Sequence, residues 1–160
     1  MEIAIETDDD WWEVEGLFDL SFAPGREALS SYRLRDGVPP VADLCLVARE
    51  YGVVGGAIRN WPVRVGGKPV LLLGPVAVHP TRQGEGLGGY LMQAAIEKAR
   101  KLGWKRVMLV GDAPYYARFG FVRLSGVIMP PPTNPDRVLG LELESGAWDG
   151  VGGVVTRFND

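Results

Sequence analysis

Residues 70–102 constrain the fold most. An apolar run ending in Val76, Ala77 and Val78 is followed by His79 and Pro80, then by Gln83, Gly84, Glu85, Gly86, Leu87, Gly88 and Gly89. Leu87, Leu91, Ala95, Ala99 and Leu102 recur at a helical period, so the pattern predicts a buried strand, a short turn and an amphipathic helix over 87–102. Lys98, Arg100 and Lys101 suit the negative end of that helix dipole, and Gly103 stops the helix. A helix start leaves backbone N–H groups without intrahelical acceptors and favours negative charge. Glycines there let the backbone approach an anion closely, so a pyrophosphate needs no basic side chain, with Arg82 and Gln83 at its rim. Each glycine inside a helix costs about 1 kcal/mol relative to alanine, and a ligand-facing role accounts for that penalty where a plain turn does not.

The rest of the pattern is a mixed sheet. Ile3 and Ile5 alternate with polar neighbours as in a strand, and Val14, Leu17, Phe18 and Phe22 follow Asp8, Asp9 and Asp10 at helical spacing. A short helix is expected over 26–35, stopped by Gly37 and the pair Pro39 and Pro40. Runs 44–49, 53–65 and 70–78 are rich in β-formers and separated by Tyr51-Gly52 and Gly66-Gly67, which predicts an antiparallel meander. Residues 105–110 read as a strand buried on both faces. Residues 112–119 read as a short helix capped by Asp112 and ended by Gly120, and 138–143 as a late strand. This order is α/β (α+β) rather than all-parallel, and 160 residues without repeat or linker predict one domain, 1–160.

Composition removes several chemistries. One cysteine, Cys45, forms no internal disulfide, and with a single histidine it does not complete a four-ligand zinc site. Cys45 lies in an apolar run and reads as core. A formal charge of −3 argues against a surface built to neutralise nucleic-acid phosphates. No apolar run approaches the roughly 20 residues that span a bilayer, and the acidic N-terminal decapeptide lacks a secretory signal, so a cytoplasmic location without membrane partners is expected. Residues 84–89 also fit the dinucleotide pattern G-x-G-x-x-G, with Asp112 as a ribose acid. In that motif the glycines follow the strand almost at once in a parallel βαβ unit. Here residues 79–83 intervene, the preceding strands read as hairpins, and too little chain follows Asp112 to complete a doubly wound sheet.

Gln83-Gly-Glu-Gly-Leu-Gly88 resembles the Q/R-x-x-G-x-G/A signature of GNAT acyltransferases, and the strand through Val76, Ala77 and Val78 is similar to the one preceding it. Tyr115-Tyr-Ala-Arg-Phe-Gly-Phe121 is similar to the Y-x-x-x-G-F element one strand later, with Tyr116 at the tyrosine position. The likeness is strong over 71–122 and extends to the N-terminal third by element order. It points to a bacterial branch of N-acetyltransferases. It implies a GNAT-like, mostly antiparallel central sheet flanked by helices on both faces, and acetyl-CoA (coenzyme A) as cofactor. It further implies that backbone groups of Val76, Ala77 and Val78 pair with the pantetheine arm. The segment Gln83, Gly84, Glu85, Gly86, Leu87, Gly88 and Gly89 holds the pyrophosphate, the amides from 84 onward supplying the donors, and Tyr116 is the proton donor. Many relatives carry an asparagine and a longer helix before that tyrosine; this chain runs directly from Gly111-Asp112 to Tyr115-Tyr116.

Acyl transfer from a thioester to an amine needs a neutral amine, support for the developing oxyanion, and a proton for the departing thiolate, which Tyr116 can give. The strand 71–78 contains no carboxylate, so the base is open among His79, Glu50, Glu27, Asp36 and a water chain. The acceptor, an amine of a small molecule or a protein, is expected between 22–40 and the C-terminal segment, with Trp61, Trp148 and the proline run as apolar walls. A homodimer is left open. The alternative to catalysis is an acyl-CoA binding or sensing module on the same fold.

Overall fold

The computed structural model describes residues 2–22 and 30–160. Side-chain alternation decides which face of the sheet each element covers. In strand β2 (Leu46–Glu50), Leu46 and Ala48 face the helix α3 (Leu87–Lys101), whereas Val47 faces α1 (Trp11–Ser21). The same rule divides β4 (Lys68–Val78): Leu71 and Leu73 lie under α3, and Val70 and Leu72 belong to a second cluster with Leu34, Met129 and Val155. Buried Val14, Leu17 and Phe18 fasten α1 to the sheet, as their spacing predicts. α3 buries Leu87, Leu91, Met92, Ala95, Ile96 and Ala99.

Among the described residues the strands connect as a nine-stranded sheet in the spatial order β1 (Glu2–Ile5), β2, β3 (Val53–Val65), β4, β5 (Arg106–Val110), β8 (Val138–Glu142) and β6 (Val122–Arg123), with β9 (Gly153–Arg157) attached to β3 and β7 (Val127–Ile128) to β9. Strand β1 (Glu2–Ile5) is one edge, and β2, β3 (Val53–Val65) and β4 form the expected antiparallel meander. Gly66 and Gly67, with φ of 55° and 79°, make the left-handed two-residue turn that joins β3 to β4. Gly66 is also required sterically, because a Cβ there would lie 2.5 Å from the Gly152 carbonyl oxygen. Strand β5 (Arg106–Val110) runs parallel to β4, and β8 (Val138–Glu142) antiparallel to β5.

Three strands were not expected from the sequence: β6 (Val122–Arg123), β7 (Val127–Ile128) and β9 (Gly153–Arg157). The first two are too short to show alternation. β9 follows a glycine-rich stretch, and its place is decided by pairing with Val63, Arg64 and Val65 at the outer end of β3. The short helix expected over 26–35 is described only as α2 (Ser30–Arg33); its first part lies outside the described residues.

Two features of β4 prepare the site. Ile58 pairs with Val76 but Asn60 pairs with Leu73, so Gly74 and Pro75 together oppose Arg59, a bulge that bends the strand. Pairing between β4 and β5 ends at Leu72 with Met108, so β4 beyond Leu72 has no ladder to β5.

Candidate functional site

Where β4 and β5 part, a cavity of about 450 Å³ opens. Its floor is Leu72, Leu73, Gly74, Pro75 and Val76 of β4 and Leu109, Val110 and Gly111 at the end of β5. Tyr32 and Arg35 form one wall, and Asp112, Tyr115, Tyr116 and Arg137 the other. Beyond the bulge, Val76, Ala77 and Val78 pair on their β3 side with Ile58, Ala57 and Gly56. With no β5 ladder there, the other edge of these residues is available to an extended amide-containing chain.

The glycine segment leads into α3 as the sequence predicts. Gly84 and Gly86 have φ of 85° and 77°, and Gly86 is the helix cap, with no side-chain capping bond. The first bond of the helix start runs from the Tyr90 N–H to the Gly86 carbonyl at 3.0 Å, so the Leu87, Gly88 and Gly89 amides have no intrahelical acceptor. A Cβ on Gly84 or Gly86 would meet nothing within 4 Å, which leaves open space beside the amides. Gly88 is different: a Cβ there would lie 3.5 Å from Val78 Cγ2 and 3.9 Å from the Tyr115 hydroxyl. Gly89 has a packing reason as well, because its Cβ would touch the Phe119 ring at 3.4 Å.

The two tyrosines stand on the short helix α4 (Ala113–Tyr116), whose cap Asp112 accepts the Tyr115 N–H at 3.2 Å, while Gly120 (φ 92°) ends the following turn. Gly111 admits the Tyr116 ring, since a Cβ there would lie 2.4 Å from a ring carbon. Burial, reinforced by Tyr115, pushes the Tyr116 hydroxyl above its ordinary value, and the Arg137 guanidinium opposes that rise. Tyr116 therefore holds its proton at neutral pH.

The residues named as bases divide sharply. His79 lies outside this cavity: its ring accepts the Thr81 N–H at 3.2 Å and contacts the Thr81 hydroxyl at 2.8 Å, which caps the turn Pro80–Arg82. Glu50 is paired with Arg82 at 2.7 Å, and both line a separate cavity with His79, so Arg82 is committed to a carboxylate. Glu85, exposed, lies 3.8 Å from Arg82. Glu27 lies outside the described residues. Asp36 lines a neighbouring cavity of about 270 Å³ that shares Tyr32, Arg35 and Pro75 with the first.

The expected apolar walls are only partly there. Trp61 lines the neighbouring cavity, donating its indole N–H to the Val38 carbonyl at 3.0 Å. Trp148 instead packs into the second core cluster with its N–H on Leu141, and neither it nor the proline run lines these two cavities. Arg35, absent from the sequence-based candidates, stacks on Tyr32 at 4.1 Å and Trp61 at 4.8 Å and donates to the Gly74 carbonyl at 3.1 Å. It braces the bulge through the Gly74 carbonyl. Tyr32 is a local partner, but the two that fix Arg35 at the bulge, Trp61 and Gly74, are 26 and 39 residues downstream, beyond the reach of any local pattern.

Cys45 is buried, and burial pushes its thiol up, away from the reactive thiolate. Among the described residues no helix is long and apolar enough to cross a membrane.

The profile of the acetyltransferase (GNAT) family matches residues 11–121. The uncharacterized N-acetyltransferase YhbS of Escherichia coli K12 is 33% identical over 125 residues, 76% of this chain and 73% of that protein. The uncharacterized N-acetyltransferase YjhQ of the same organism is 44% identical over 55 residues, which are 34% of this chain and only 30% of that protein. The crystal structure of E. coli YhbS in complex with CoA superposes with a TM-score of 0.84 at 28% identity, covering 99% of this chain and 92% of that one. A GNAT family acetyltransferase from Brucella melitensis in complex with acetyl-CoA gives 0.65 at 31% identity, covering 92% and 97%. This chain therefore belongs to the acetyltransferase (GNAT) family.

Proposed function

We propose that this protein transfers an acetyl group from acetyl-CoA to an amine of a small molecule or a protein by direct attack, with Tyr116 as general acid. The parting of β4 from β5 after Leu72 carries this reading, because it joins an open backbone edge to the uncapped start of α3 at one end and to Tyr116 at the other. The CoA and acetyl-CoA complexes of the two similar structures support the same ligand here.

The backbone of Val76, Ala77 and Val78 would pair with the pantetheine amides. The turn at Gln83, Gly84 and Glu85 and the amides of Gly86, Leu87, Gly88 and Gly89 would hold the pyrophosphate, where an anion meets both unsatisfied donors and the positive end of the helix dipole. When bound, the thioester supplies an activated acyl carbon: the amine nitrogen forms the C–N bond, the C–S bond breaks, and sulfur leaves with the electron pair. Tyr116 gives its hydroxyl proton to that sulfur and is reprotonated from solvent. The surplus amine proton passes to water. Asp112, the carboxylate that lines this cavity among the described residues, is already engaged in capping α4.

Coenzyme A should stabilise the fold where NAD and NADP do not. At a concentration 100 times Kd the stabilisation is about 2.7 kcal/mol. For a chain of this size that is a rise in Tm of roughly 5–10 °C. Thiol release from acetyl-CoA across an amine panel then tests the reaction itself. Stabilisation by NAD alone would refute the cofactor; coenzyme A binding with no turnover of any amine would favour the non-catalytic binding module.

A further inference from the structure

Tyr115 holds its ring more firmly than a surface tyrosine needs to. It meets Tyr116 edge-on at 4.9 Å and Phe119 at 5.8 Å, and the Arg118 guanidinium lies over its ring at 4.4 Å. Its own backbone closes the frame: the N–H donates to Asp112 Oδ2 at 3.2 Å, and the carbonyl accepts Arg118 Nε at 3.1 Å. With the ring clamped on these sides, the fold decides where the hydroxyl points. That hydroxyl lies 3.9 Å from the position a Gly88 Cβ would occupy, at the second residue of α3. Tyr115 lines the main cavity, and its hydrogen bonds among the described residues are those of its backbone, the hydroxyl making none.

We propose that the Tyr115 hydroxyl binds the CoA pyrophosphate, completing from the α4 side the anion site that the α3 amides begin. This rests on the CoA-dependent reading above. A phosphate oxygen held by the α3 amides lies within hydrogen-bond reach of a donor placed there, and an O–H donated to an anion is among the stronger hydrogen bonds. Arg118 adds positive charge behind the ring without entering the cavity lining. The adjacent tyrosines thus divide the ligand, Tyr116 toward sulfur and Tyr115 toward phosphate. The bare Cα of Gly88 suits this arrangement: a methyl group there would lie 3.9 Å from the hydroxyl and would crowd the space in which the shared phosphate oxygen would sit.

The test is the affinity for coenzyme A measured by titration calorimetry, with apo Tm as the control for folding. Tyr115→Phe keeps the ring contacts and should weaken coenzyme A about 10- to 100-fold with apo Tm unchanged. Gly88→Ala meets its neighbours at ordinary contact distances, so the fold should persist while the affinity falls. In the double variant the losses should be less than multiplicative, because both substitutions act on one phosphate contact. Unchanged affinity in Tyr115→Phe overturns the proposal, as does a fall in kcat with Kd unaltered. Fully multiplicative losses would put the hydroxyl on another part of the ligand and overturn it too. A wild-type protein with no affinity for coenzyme A would instead bring down the CoA reading itself.

Discussion

At the scale of single residues, Tyr116 has the most exposed chemical commitment, since its proposed role depends on one oxygen. Tyr116→Phe preserves the packing against Phe119, Phe121 and Gly111, so coenzyme A affinity and Tm should stay near wild type. Turnover alone should fall. General-acid assistance is worth about 10²–10⁴ in rate, and a thiol with a pKa near 8.5 is already a fair leaving group, which puts the loss toward the lower end. Because burial raises its pKa, the phenol is protonated below and through its ordinary titration range and loses its proton only at higher pH. The alkaline limb of the wild-type kcat profile due to Tyr116 should thus lie above pH 10, and Tyr116→Phe should remove it. A variant retaining full kcat would end the acid role. The Y-x-x-x-G-F spacing singled out Tyr116, but the placement of Tyr115 over Gly88 was invisible in the sequence, because it joins two elements 27 residues apart.

At the scale of elements, the site depends on how α1, β1 and β3 are tied together beside the β4 bulge. Buried Arg59 of β3 sits opposite Gly74 and Pro75 and donates twice to Glu6, at 3.0 and 2.8 Å, and once to Glu15 of α1. It also lies over the Phe18 ring at 5.1 Å. Removing the cation leaves the Glu6 side chain, only 9% exposed, without its partner. Arg59→Met should therefore lower stability by about 3–5 kcal/mol. The midpoint of urea unfolding measures this, and a second substitution, Glu6→Gln, should return much of the loss by removing the stranded charge. A loss under 1 kcal/mol in Arg59→Met would show that the network does not hold these elements. Strand β3 has the very bounds its β-rich run predicted, yet nothing in that run tells that Arg59 is inside while Arg64 reaches the Phe158 carbonyl.

At the scale of the whole molecule, the long strand β3 is shared: its first half pairs with β2 and its outer end with β9. β9 also brings buried Val155 against Val63 and Val65, in the cluster that contains Leu72 and Met108 on the two strands flooring the cavity. Ending the chain after Glu144 should uncover that cluster, lower Tm and reduce coenzyme A binding together, even though no residue beyond Arg137 lines the cavity. Melting and calorimetry check this; unchanged values for both would show that β9 is dispensable. The sequence by itself determined the strong local periods: the meander, the amphipathic α3, its glycine start and the capped α4 all follow from patterns within about 20 residues, where apolar spacing, turn glycines and caps act on neighbouring backbone. Only the tertiary structure decided the parting of β4 from β5, the bracing of the bulge by Arg35, the removal of His79 and Glu50 from the site, and the meeting of Tyr115 with α3. Each of these depends on contacts between segments distant in the chain, and their partners are selected by packing and charge pairing after the sheet has assembled.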